Sequence, residues 1–156
     1  MKKWLLLATV MVLTVLQLTW PEFLVFFNAR PDLLLIFVVA AVFYLDFKIA
    51  LVFGIICGLL KDAFLPGDFG INTILFTVWC YAIWKLGRQI STEHYFVRFA
   101  IVFIAAFLNN IISGVQSANL GNFIPADIFL RNLAIPSFYT AALSPLIFKL
   151  TKKIAA

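Results

Sequence analysis

Reactive side chains are scarce in this chain. It holds one histidine and two cysteines, and only 12% of its residues are charged. The histidine, His94, has no cysteine or second histidine at ligand spacing, so no metal site is visible. Cys57 and Cys80 fall inside hydrophobic runs and read as small buried apolar residues, which argues against a disulfide framework. There is no Ser/His/Asp set, no histidine pair and no glycine-rich phosphate loop opening a helix. Two aspartates, Asp32 and Asp62, can in principle move protons, but nothing arranges a nucleophile beside them. An enzyme reading therefore lacks its residues, and no cofactor is implied.

What abounds is apolar sequence. The hydrophobic fraction is 64%, against roughly 45–50% in soluble domains. A chain of 156 residues has room for several spans but not for a soluble catalytic domain as well. The expectation is one integral membrane domain over 1–156, all-α and polytopic. The net charge of +5 does not make a nucleic-acid interface, because the basic residues sit at the ends of hydrophobic segments. That is where they orient a chain in a bilayer. The N-terminus, Met1-Lys2-Lys3 before the apolar run Trp4 to Trp20, resembles a signal peptide. No small-x-small site closes it, so the run reads as a retained first span, with cleavage as the lesser alternative.

A span needs about 20 mostly apolar residues. Six segments qualify: 4–21, 31–46, 48–65, 69–87, 97–116 and 129–150. Between them, residues 21–31 are too apolar for a free loop and suit the membrane interface. Pro66, Gly67 and Asp68 supply turn chemistry, residues 88–96 are polar, and Asp127 favours a helix start. With the N-terminus in the cytoplasm, the inside set is Lys2, Lys3, Lys48, Lys85, Arg88, Arg98, Lys149, Lys152 and Lys153. The outside set is Arg30, Lys61 and Arg131. This nine-to-three bias places both termini in the cytoplasm.

The polar residues inside the spans gather toward the outer side. Ala50, Gly54, Gly58 and Asp62 recur every four residues and so share one helix face. Small residues ending in a carboxylate mark a packing face, since lipid neither needs the one nor tolerates the other. Asp62 then requires a partner, and Arg30, Lys61 and Arg131 are the available cations. Arg30 and Arg131 are the candidates for its ion pair, while Lys61, its chain neighbour, can instead snorkel to the headgroups. Asp32 after Pro31 suits a helix start, with proline at the first helical position and the carboxylate on the dipole. In the fifth span, Ala105, Asn109 and Ser113 form one row, and Ala106, Asn110 and Gly114 the next. In the sixth, Ser137, Ala141 and Ser144 lie close together beyond a kink expected at Pro136. Helix–helix contact is the favoured reading of these rows over a ligand site.

Three stretches carry a resemblance. Arg30-Pro31-Asp32-Leu33 is followed by Gly54-x-x-x-Gly58-Leu59-Leu60-Lys61-Asp62, and then by Gly67-x-x-Gly70-Ile71-Asn72. Together they resemble the rod shape-determining protein MreD family of bacteria. Its second helix begins Pro-Asp-Leu, its third ends Gly-Leu-x-x-Asp, and a glycine-containing turn leads to the fourth. The turn here, Leu65 to Gly70, is more acidic than that pattern. The resemblance implies a non-enzymatic scaffold of the cell-elongation machinery. It implies binding of MreC, and through it a link between MreB filaments and the glycosyltransferase and transpeptidase of lateral peptidoglycan synthesis. It also implies a fold similar to the S components of energy-coupling-factor transporters. Pro31, Asp32, Gly58, Leu59 and Asp62 are the positions that match, none with a catalytic role.

The alternative is a substrate-binding S component of a vitamin transporter, using the outer polar residues on a ligand. Pockets of that kind combine aromatic walls with convergent polar groups. Here the aromatics, mainly Phe, are spread over every span and mostly read as lipid-facing, which weighs against it.

Overall fold

The computed structural model describes residues 3–25, 29–64, 70–91 and 93–156. Among them are six α-helices and no strands: α1 (Lys3–Leu18), α2 (Leu33–Tyr44), α3 (Phe47–Phe64), α4 (Ile71–Gly87), α5 (Tyr95–Asn119) and α6 (Ala126–Ala155). A single 3-10 turn, Glu22–Leu24, lies between α1 and α2. The expected turn at Pro66, Gly67 and Asp68, and Lys2 of the charge count, lie outside the described residues.

Helix number and order follow the sequence expectation; lengths do not. By length and composition only α5 and α6 are clearly able to cross a membrane, while α1 and α2 are shorter apolar helices. α2 has 12 residues because Pro31 stays outside it and the backbone turns extended at Leu45 (φ −115°, ψ 162°). Three charges, Lys48, Lys61 and Asp62, interrupt the apolar character of α3.

Each end has a local cause. α5 closes in a Schellman motif: Gly121, at φ +88°, donates to the Ala118 carbonyl, and Asn122 donates to that of Ser117. α4 follows Gly70, whose φ of +89° is open to glycine at little strain. α6 runs through Pro136 and Pro145. Pro145 has no N–H for the Ala141 carbonyl, and the Ser144 hydroxyl donates there instead, at 2.6 Å.

The contacts show helices alternating in direction. The end of α1 meets the start of α2 through Gln17 and Leu34. At the opposite end, Arg98 of α5 donates to the Tyr44 hydroxyl of α2 at 2.7 Å. There too, the rings of Phe47 of α3 and Trp84 of α4 pack at 4.6 Å, tilted by 33°. Six alternating helices bring both termini to one end. α2 is the centre of the bundle and touches the other five helices. Every residue from Leu33 to Val42 is buried, so this helix is apolar all round and has no outward face. The others keep large apolar side chains on the outside, among them Met11, Val52, Ile74, Leu108 and Leu146. Not every aromatic points outward: Phe37, Phe53, Phe76 and Phe148 are core residues.

Candidate functional site

The small-residue stripe is an internal joint between α3 and α4. A Cβ on Gly58 would lie 2.4 Å from Thr73 Cα and 3.0 Å from the Asn72 carbonyl oxygen, both backbone atoms. A Cβ on Gly54 would meet Cys80 Sγ at 2.6 Å. Ala50 is buried, and its carbonyl accepts from the Cys80 thiol at 3.6 Å. Close backbone approach is what small residues permit. Leu59, taken from the family pattern, stands off this face and is 55% exposed.

At the end of the stripe sits Asp62, buried, and its partners differ from the expected arginines. Its carboxylate accepts from the backbone N–H groups of Asn72 (3.1 Å) and Thr73 (3.0 Å). It also accepts from Asn72 Nδ2 (2.9 Å) and Thr73 Oγ1 (2.6 Å). Asp62 thus caps the first turn of α4 from another helix. Exposed amides and a positive dipole end serve a carboxylate as a cation would. Arg30 and Arg131 are both exposed and do not pair with it.

The one ion pair among the described residues joins Lys61 to Asp32, with side chains 12% and 16% exposed. Lys61 therefore turns inward and does not snorkel. Asp32 is the N-cap of α2, accepting from Leu35 N–H at 3.1 Å, and Pro31 precedes the cap instead of opening the helix. Other helices complete the cap. Asp32 N–H donates to Thr140 Oγ1 of α6, and Leu34 N–H donates to Gln17 Oε1 of α1. Beside the pair lies a cavity of about 400 Å³, reached by Gln17, Arg30, Lys61 and Asn110.

α5 and α6 supply the remaining polar contact. Asn110 Nδ2 donates to Ser137 Oγ at 3.1 Å, and the Ser137 hydroxyl donates to the Leu133 carbonyl. Asn109 is buried on the same stretch, with Oδ1 unmet among the described residues, and Ser113 is half-buried one turn on. Gly114 lets the Phe129 ring approach, where a Cβ would be 2.3 Å away. The row of Asn110 and Gly114 is thus a helix–helix contact. Thr73, Thr140 and Gln17 were not legible as partners. The available signal was Gly70 followed by Asn72 and Thr73, which opens a helix opposite a carboxylate.

A packed joint, two cross-capped helix ends and one part-buried ion pair fix the position of α2, α3 and α4. These are the segments that hold the Pro-Asp-Leu and Gly-Leu-x-x-Asp patterns. The family model for the rod shape-determining protein MreD matches residues 1–154. The chain belongs to the MreD family. No curated protein and no solved structure matches it, and the likeness to S components is not shown. MreD is a shape-determining family and not a known enzyme family. With the two spanning-length helices, membership supports a membrane protein with a role in rod shape determination.

Proposed function

We propose that this MreD-family chain is a non-enzymatic scaffold subunit of the bacterial cell-elongation complex, resident in the inner membrane. Both termini face the cytoplasm, by the nine-to-three distribution of Lys and Arg. The scaffold binds MreC and through it helps couple MreB filaments to lateral peptidoglycan synthesis. The observation that carries this reading is the family match over essentially the whole chain. A fully enclosed α2 with apolar outer faces on its neighbours suits a scaffold, which must hold a shape and offer surfaces. The comparisons lend nothing to the vitamin-transport alternative.

Loss of the protein in its native bacterium should round rod-shaped cells. The chain should co-purify with a single-span partner carrying a periplasmic domain. Reporter fusions after Ala156 and within 88–96 should read cytoplasm, and those within 117–128 should read the outside. Unchanged morphology with a co-purified small molecule would replace the scaffold reading by the transport one. A cytoplasmic signal from 117–128 would overturn the topology.

A further inference from the structure

The cavity beside the Asp32–Lys61 pair is not explained by scaffolding. It holds about 400 Å³ and lies where α1, α2 and α3 meet, with Asn110 of α5 on its wall. Its polar wall has a surplus of donors. Arg30 is exposed and makes no ion pair among the described residues. Lys61 spends one N–H on Asp32 and keeps others. Gln17 accepts from Leu34 N–H through Oε1, which leaves its NH2 group as a donor. The single carboxylate of the wall, Asp32, is already met by Lys61 and by Leu35 N–H. The N-terminus of α2 adds its positive dipole end. Two cations against one satisfied carboxylate make a site for an anion.

The rest of the lining says what carries the anion. Leu18 and Phe64, about half exposed, flank the polar wall and open to the outside of the bundle. At 1.5 Å per residue α1 and α3, which face outward here, are only about 24–27 Å long. A hydrocarbon core is about 30 Å thick, and short helices thin the bilayer around them. Lipid headgroups are thereby drawn down toward Arg30 and Lys61. We propose that this cavity binds the phosphate of an anionic phospholipid, held by Arg30, Lys61 and Gln17, with an acyl chain along Leu18 and Phe64. The site is independent of the scaffold reading.

The test uses the full chain in mild non-ionic detergent, titrated with dioctanoyl phosphatidic acid, dioctanoyl phosphatidylcholine or inorganic phosphate and followed by tryptophan fluorescence. Phosphatidic acid should bind at least tenfold more tightly than phosphatidylcholine. Arg30→Gln should weaken it at least fivefold, and Arg30→Lys should retain most of the affinity. Inorganic phosphate binding as tightly as phosphatidic acid would overturn the lipid as source and leave a free anion in the same site. Equal binding of the two lipids, or an indifferent Arg30→Gln, would overturn the site. Should Arg30→Gln not fold, a photoactivatable phosphatidic acid on the wild-type chain decides: labels near Leu18 and Phe64 support the proposal, and labels confined to the Trp84 end overturn it.

Discussion

Substituting Gly58 by alanine adds one methyl group, and the structure leaves no side chain to move out of its way. The new Cβ would sit 2.4 Å from Thr73 Cα and 2.8 Å from Thr73 N. Ordinary carbon contacts begin near 3.5 Å, so α4 must recede by about 1 Å at that point. The four hydrogen bonds from Asn72 and Thr73 to Asp62 span 2.6–3.1 Å. The same displacement carries most of them past hydrogen-bonding distance. Overpacking costs about 1–3 kcal/mol, and weakened bonds to a charged group about 1.5–3. Replacing glycine by alanine in a helix returns about 1. The net expectation is a loss of about 1.5–5 kcal/mol, read by equilibrium unfolding in SDS–detergent mixtures. Gly54→Ala is the internal comparison. It meets a side-chain atom, Cys80 Sγ, so Cys80→Ala should restore most of its loss. No truncation at Thr73 can do so for Gly58→Ala. Ile55→Leu, off the face, should be nearly silent. Wild-type stability for Gly58→Ala, or its rescue by Thr73→Ala, would refute the close backbone contact.

Two further predictions concern the charges. Asp62→Ala and Thr73→Val should show a coupling of about 1–3 kcal/mol in a double-mutant cycle of thermal unfolding. Cycles of Asp62 with Arg30 or Arg131 should show none, and coupling to either arginine would restore the ion pair the structure does not have. Lys61→Met should destabilise more than Lys61→Met combined with Asp32→Asn, because a lone buried charge is the expensive state and asparagine still caps a helix. A double variant no better than the single one would mean that the pair is solvated.

The sequence made some of this legible and hid the rest for identifiable reasons. The length of the apolar runs located all six helices, and four-residue spacing put Ala50, Gly54, Gly58 and Asp62 on one face, because a row of small residues has few other uses. It did not say which helix met that face, since Thr73 and Asn72 bear no mark of close approach. A buried aspartate points first to cations, although the start of α4, ten residues on, offers Asp62 four donors. Lys61 is its chain neighbour, yet being one residue earlier turns it toward Asp32. α2 is shorter than its span because the apolar run outlasts the helix at Pro31 and Leu45. No periodic pattern marks a helix enclosed on every side.

The cap of α2 has a consequence for how the chain is made. Its first-turn donors are met by Gln17, synthesised before it, by its own Asp32, and by Thr140, which follows 108 residues later. Lys61 arrives in between. A nascent chain that has delivered α1 to α3 into the bilayer therefore still carries an open donor at the centre of its bundle. Only when α6 has emerged and packed against α2 is that donor closed. A chain that stops short of Thr140 therefore differs from the finished one at the start of α2 and not merely at its end.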